Sequence, residues 1–454
     1  MYAKNVWEKY KDRLEDVMSF NESYKNFISQ CKTERLCVKE TIKLAKDNGF
    51  VDFYELKEIH LGDKFYIESM NKTIALFVIG EKDLEEGMHI LGAHIDSPRM
   101  DLKQNPIYEK NHFALADTHY YGGIKKYQWV TIPLSLVGVV VKKDGSIIDV
   151  NIGENESDPV VGISDLLVHL SADQLKKSAS EVIPGENLDV TLGSFPLEDE
   201  EKDAVKANVL NILKHKYDIE EEDFLSAEIE VVPSGRARDY GLDRSMIMGY
   251  GHDDRVCAYT SLKAILDIDS PKYTCCCVLV DKEEIGSVGA TGAQSLFFEN
   301  SIAEILALQN KTSLLSLRKT LMNSKMLSSD VSAGFDPLFP EVNDSKNAAY
   351  LGNGIVLNKY TGSRGKSGSN DANPEFIASI RNVFDGHDIY FQTAELGKVD
   401  QGGGGTIAYI LGNYNMNVID AGIAVLNMHA PCEIVSKLDV YEAYHAYKSF
   451  LLYI

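Results

Sequence analysis

Tyr273-Thr274-Cys275-Cys276-Cys277-Val278-Leu279-Val280-Asp281-Lys282-Glu283-Glu284-Ile285-Gly286-Ser287 is an apolar run that breaks abruptly into charge and then glycine. An unbroken apolar run this short suits a strand buried on both faces, and such strands sit in parallel sheets covered by helices. The flanking sequence keeps the same rhythm. Helices are expected over 256–266 and 289–308, then a helix over 376–383, a strand over 389–391, a helix over 406–411, a strand over 418–420 and a helix over 437–452. Upstream, Thr33-Glu34-Arg35 opens a helix that stops at Asn48-Gly49. Strands are expected over 65–67, 74–79 and 89–94. Strands alternating with helices define an α/β fold, a mixed sheet flanked by helices.

The rhythm is lost from about residue 103. Long β-type stretches such as Val137-Gly138-Val139-Val140-Val141 mix with acidic ones at Glu198-Asp199-Glu200-Glu201 and Glu220-Glu221-Glu222-Asp223. After Pro233-Ser234-Gly235 the alternation returns. The expected organisation is therefore one discontinuous α/β domain, 1–102 plus 237–454, interrupted by a β-rich insert at 103–236. A chain of 454 residues is long enough for both.

Asp and Glu total 68 against 46 Lys and Arg, a net charge of −22. That excess repels a phosphate backbone and argues against nucleic acid as a partner. No stretch approaches the ~20 apolar residues that cross a bilayer, so no membrane partner is expected. Met1 to Tyr10 has no apolar signal-peptide core. Seven cysteines, three of them consecutive and none in Cys-x-x-Cys spacing, suit reduced thiols and a cytoplasmic location.

Chemistry-bearing residues gather where elements end. His94-Ile95-Asp96-Ser97-Pro98 directly follows an apolar strand, and residues two apart on a strand face the same side. In open α/β sheets the ligand crevice lies at such carboxyl ends. His94 and Asp96 read either as a metal ligand with its orienting carboxylate or as a surface His beside a turn-forming Asp. Glu283-Glu284 follows the buried strand quoted above; one Glu can bind a metal while the other deprotonates a water, or the pair is a solvated acidic loop. Asp253 in His252-Asp253-Asp254-Arg255 is placed to bind a metal or to cap the following helix. Asp330 and His429 stand at comparable junctions. Two imidazoles with three or more carboxylates suit a pair of divalent cations, zinc first, with manganese or cobalt as alternatives.

In these blocks and their order, over nearly the whole chain, the sequence resembles the aspartyl aminopeptidase-type family of dinuclear zinc aminopeptidases. His94-Ile95-Asp96-Ser97-Pro98 resembles the family's His-Thr-Asp-Ser-Pro, with Ile in place of Thr. Asp253-Asp254-Arg255 resembles its bridging-carboxylate segment, Glu283-Glu284 its Glu pair, Asp330 the Asp of its Ser-x-Asp block and Met428-His429 its Met-His block. The resemblance implies a metallopeptidase-type sheet and a metal-dependent aminopeptidase with two divalent metal ions per subunit. His94 and Asp330 would hold one metal and Glu284 and His429 the other, with Asp253 bridging. Glu283 would be the general base and Asp96 would orient His94. It also implies that the insert drives dimerisation within a tetrahedral dodecamer, and that His169, in Leu166-Leu167-Val168-His169-Leu170, reaches a partner's active site; a structural histidine on a helix is the other reading. Tyr120 to Trp129 departs from the family, with Lys125-Lys126 where members carry an Arg and acidic residues.

The resemblance also implies a lean towards peptide substrates with acidic N-terminal residues, and where it places substrate contacts, Lys359, Arg364 and Lys366 put three cations into a short stretch of an acidic chain. Lys359 follows the apolar Ile355-Val356-Leu357 and is the candidate substrate contact. Two alternatives stand beside this reading. One is a dinuclear aminopeptidase of neutral or broad specificity. The other is a non-catalytic assembly protein on the same scaffold, which should have lost Glu283 or a metal ligand. Gly365-Lys366-Ser367 is not a phosphate loop, since Tyr360 occupies the required glycine position.

Overall fold

The computed structural model describes residues 5–362 and 364–454. The chain forms two compact units, Met1–Asp96 with Ala237–Met428 and Glu433–Ile454, and Ser97–Arg236 with His429–Cys432. The first boundary falls after Asp96 rather than near 103. Arg99–Lys110 is one continuous strand, and its partners Phe113–Tyr121 and Ala227–Pro233 lie in the second unit.

The first unit is built on a nine-stranded sheet. Its order is Val51–Asp52, Lys64–Ser69, Thr73–Val78, Thr274–Val280, Met88–His94, Lys325–Ser328, Asn417–Gly422, Ile355–Asn358 and Phe391–Thr393. The four strands from Thr274–Val280 to Asn417–Gly422 run parallel, with antiparallel neighbours on either side. Register aligns their carboxyl ends, since Val280 lies opposite His94 and Ser328 opposite both Gly92 and Asp420.

Period-two geometry explains how the quoted apolar run is used. Cys275, Cys277 and Leu279 pack with Leu91 and Ala93 in one core, which also holds residues of helices Leu14–Gln30, Glu34–Asp47, His252–Leu266, Pro374–Gly386 and Lys437–Tyr453. Cys276, Val278 and Val280 pack with Ile90 in the other core, against helices Phe297–Leu308, Leu314–Asn323 and Ala408–Gly412. Helices therefore cover both faces, and the three cysteines are strand residues that fill the two cores.

Local signals place most element ends. Thr33 caps Glu34–Asp47 by accepting the Leu36 N–H at 3.2 Å. The helix expected over 289–308 is shorter, Phe297–Leu308. The residues ahead of it fold back onto the preceding strand: the Asp281 N–H donates to the Thr291 carbonyl at 3.2 Å, and Thr291 Oγ1 donates to Asp281 Oδ2 at 2.6 Å. A Cβ on Gly292 would stand 2.3 Å from the Ser287 carbonyl oxygen, so only glycine allows this return. The strand expected over 389–391 is Phe391–Thr393. A second, five-stranded sheet in this unit orders Arg238–Tyr240, Met246–Gly249, Glu433–Ser436, Ala424–Leu426 and Ser332–Ala333.

The second unit carries an antiparallel six-stranded sheet, ordered Ile147–Ile152, Leu134–Val141, Ala227–Pro233, Arg99–Lys110, Phe113–Tyr121 and Val190–Gly193. It also holds a helix, Ala204–Tyr217, that the sequence reading did not anticipate. Leu166, Leu167, Val168, Leu170 and Leu175 are all exposed. Among the described residues no helix is long and apolar enough to cross a membrane.

Candidate metal centre

His94 is the last residue of its strand and almost fully buried. Its Nε2 lies 3.1 Å from Asp253 Oδ1, 3.9 Å from Glu283 Oε2 and 4.0 Å from Asp330 Oδ1. On the other side of the ring, Nδ1 lies 3.1 Å from the Asp96 carbonyl and 3.3 Å from Asp96 Oδ1. The parallel strands Met88–His94, Thr274–Val280 and Lys325–Ser328 deliver His94, the Glu pair and Asp330 to one edge.

Glu283 and Glu284 begin the turn Glu283–Ile285, between Lys282 and Gly286 in left-handed conformations. Asp96, fully buried, holds this turn: its Oδ1 accepts the Glu283 N–H at 3.1 Å and its Oδ2 the Glu284 N–H at 3.2 Å. Its role thus extends beyond orienting His94. Asp253 is not the helix cap, because Gly251 occupies that position and no side-chain cap bond is made there. Its carboxylate turns instead to His94.

Two sets of ligand atoms result, each within 4.8 Å of one another: His94 with Glu283 and Asp330, and His94 with Asp253 and Glu284. Burial alone would lower the His94 imidazole, but the bonds to Asp253 and Asp96 reverse this and hold it well above its ordinary value. Burial, then Glu283, Asp253 and Asp420, push the Asp330 carboxyl well up against the opposing pull of His94. Burial and Asp330 do the same to Asp254. Carboxylates packed this closely cannot all ionise without a compensating cation. Oxygen donors with one imidazole suit a borderline divalent ion such as zinc, so these residues fit the group.

Three other expected residues are not members of these sets. His429 belongs to the second unit, where its Nδ1 lies 2.9 Å from the Gly123 carbonyl. His169 is exposed in the short 3-10 helix Val168–Leu170. Lys359 follows Ile355–Asn358 as expected, but its ammonium is ion-paired with Asp371, which Lys366 also contacts at 3.2 Å. Two buried carboxylates escaped the sequence reading as functional groups. Asp254 Oδ2 lies 3.4 Å from the His94 backbone nitrogen, and Glu433 Oε2 accepts the Asp253 N–H at 3.0 Å. Asp254 was at least adjacent to a candidate ligand; nothing local marks Glu433.

A His–carboxylate cluster at the carboxyl edge of a parallel sheet defines a metal-dependent hydrolase centre. Residues 27–451 match the family described as aminopeptidase I zinc metalloprotease (M18), and the chain belongs to it: it is a zinc metallo-aminopeptidase, a hydrolase of peptide bonds. A probable M18 family aminopeptidase 1 of Clostridium acetobutylicum is 59% identical over 454 residues, 99% of this chain and 98% of that protein. The crystal structure of an M18 family aminopeptidase from Thermotoga maritima superposes with a TM-score of 0.97 at 45% identity, covering 100% of both chains. A Saccharomyces cerevisiae protein, described as an mApe1 dodecamer, shares the fold at a TM-score of 0.77 and 19% identity, over 94% of this chain and 95% of that one.

Asp96→Asn replaces one of the two amide acceptors with an NH2 group facing an N–H donor. Zinc affinity should fall by about 10–100-fold, the usual effect of losing a group that orients ligands. Competition with a chromophoric chelator measures it, and an unchanged affinity would refute the clamp.

Proposed function

We propose that the chain removes single N-terminal residues from peptides at a centre of two divalent cations, zinc first, with manganese or cobalt as alternatives. One observation carries this reading, the convergence of His94, Asp253, Glu283, Glu284 and Asp330 into two overlapping ligand sets. Asp253 would bridge, His94 and Asp330 would hold one ion, and Glu284 with His429 the other. Bound cations supply two things: a water acidified towards neutral pH and a polarised scissile carbonyl. Glu283 accepts the proton of the attacking water and delivers it to the leaving amine. Asp96 keeps the Glu283 backbone fixed through that transfer. Glu283→Gln removes the proton acceptor but keeps an amide oxygen at the same reach within its ligand set, so metal content should largely persist while kcat drops by about 10²–10⁴-fold. Metal analysis beside steady-state kinetics tests this; wild-type turnover would overturn the assignment.

The preferred N-terminal residue is acidic in this reading. Lys359 and Lys366 share the single carboxylate of Asp371, which leaves the cluster with surplus positive charge for a substrate carboxylate. A charge-assisted hydrogen bond to it contributes ~1.5–3 kcal/mol, or roughly 10–150-fold in kcat/KM. Lys359→Ala should therefore lower kcat/KM on aspartyl or glutamyl substrates by that factor and leave leucyl and alanyl substrates within about twofold. Equal losses across the panel, or a wild-type preference for neutral residues, would favour the neutral or broad-specificity alternative.

The chain is further proposed to act as a closed homo-oligomer, a tetrahedral dodecamer with the second unit at a two-fold contact. The exposed side chains of Leu166, Leu167, Val168, Leu170 and Leu175, close together in sequence, support self-association, since apolar surface gathered in this way favours burial against another chain. His169 lies within that stretch of sequence and would serve the neighbouring subunit. Analytical ultracentrifugation should show a particle of twelve 50.5 kDa chains. A monomer at working concentration would reject the assembly.

A further inference from the structure

Glu433 opens the strand Glu433–Ser436 and is 1% exposed. Its Oε2 accepts the Asp253 backbone N–H at 3.0 Å, across 180 residues of sequence. The first N–H groups of a helix have no partner inside it. A nearby Ser, Asn or Asp usually supplies the acceptor, but helix His252–Leu266 has Gly251 in that place and no side-chain cap. The acceptor comes from a distant strand instead. Glu433 lies opposite Gly249 in the antiparallel pairing with Met246–Gly249, and that strand leads within four residues to Asp253 itself. One strand pair therefore sets the positions of donor and acceptor together. Asp253 has φ −81° and ψ 104°, outside the helical region, so the helix's own geometry does not hold it.

We propose that Glu433 is a positioning residue of the metal centre: by fixing the Asp253 backbone it places Asp253 Oδ1 3.1 Å from His94 Nε2, where both can ligate. The inference rests on the reading of Asp253 as a metal ligand. A solvated local cap would also satisfy the N–H, but it would not tie the ligand to the sheet. A buried carboxyl is a costly acceptor, so its use in place of a solvated cap marks a position that must not drift.

The test uses the full-length protein with Glu433→Gln, Glu433→Ala, Glu433→Asp and Asp253→Ala. Zinc affinity is read by chelator competition, and ligand geometry by the visible absorption of the cobalt-loaded protein. Gln retains an acceptor oxygen at the same reach, so affinity should stay within about threefold and the cobalt bands should be preserved. Ala should weaken zinc binding by about tenfold or more and change the bands. Should Ala fail to fold, Asp decides the matter: it keeps the charge but shortens the reach by one methylene, and the same band changes are expected. Wild-type affinity and spectrum in folded Ala or Asp variants would overturn the proposal. So would a Gln variant as damaged as the Ala or Asp one, because the accepted hydrogen bond would then not be the cause. Full zinc affinity in Asp253→Ala would instead reject Asp253 as a ligand. Loss of zinc there with none in Glu433→Ala or Glu433→Asp would reject only the inference about Glu433.

Discussion

The Asp96 carboxylate, with no solvent exposure, accepts the backbone N–H groups of both Glu283 and Glu284 and stands 3.3 Å from His94 Nδ1. The geometry of the centre depends on this one group, because it joins the end of strand Met88–His94 to the turn after strand Thr274–Val280. Each charge-assisted bond contributes about 1.5–3 kcal/mol, while desolvating a carboxylate costs several kcal/mol. The two terms nearly cancel. Positive charge close to Asp96, first on the His94 ring and then on the cations the site is suited to hold, would tip that balance towards the bound arrangement. Stability and ligand placement are in this way consequences of the same charge balance.

That balance also explains why the ligands sit at strand ends. Within the central strands of the sheet the backbone is paired with neighbouring strands on both sides, and side chains alternate into two apolar cores. Past Val280, His94 and Ser328 the ladders stop, and N–H groups become available to bind carboxylates. The parallel register brings three such ends together at one edge. Carboxylates behind the ligands use those amides: Asp96 takes two and Glu433 one, and Asp254 lies within 3.4 Å of a fourth. The long insertion leaves the chain at Asp96 and returns at Ala237, between elements rather than within any strand of this sheet.

The sequence made the sheet legible where its information was local. The apolar run at 273–280, the Thr33 cap and the Asn48-Gly49 stop each act within a few residues, and each is found where expected. The ligand candidates were legible for the same reason, since a His or Glu directly after a buried strand has few places to point. Information carried by distant contacts was not legible. The shortened helix at Phe297–Leu308 depends on Thr291 bonding Asp281 and on a glycine passing close to Ser287. Helix periodicity continues through those residues and gives no warning of the fold-back. Glu433 meets Asp253 from 180 residues away, and its immediate neighbours are an ordinary strand. The partnership of Lys359 with Asp371 depends on how a loop closes, which charge spacing alone does not encode.

The electrostatics of the centre bear on which peptides suit it. A cluster of buried carboxylates attracts a protonated α-amine and repels a substrate carboxylate, and the net charge of −22 adds to both effects at long range. Two divalent ions, if bound as proposed, would offset most of the local negative charge, since four positive charges would meet five acidic side chains. An N-terminal residue then meets a nearly neutral centre, and discrimination among side chains passes to the groups just beyond it. The candidate cations are already engaged: Lys359 and Lys366 with Asp371, and Lys366 also over the Tyr360 ring at 3.8 Å. In the proposed reading a substrate carboxylate would compete with Asp371 for Lys359, and would win only where water is excluded more completely around the bound peptide than around the empty loop. The acidic preference proposed above would then be limited in size by the affinity of Asp371 for the same lysine.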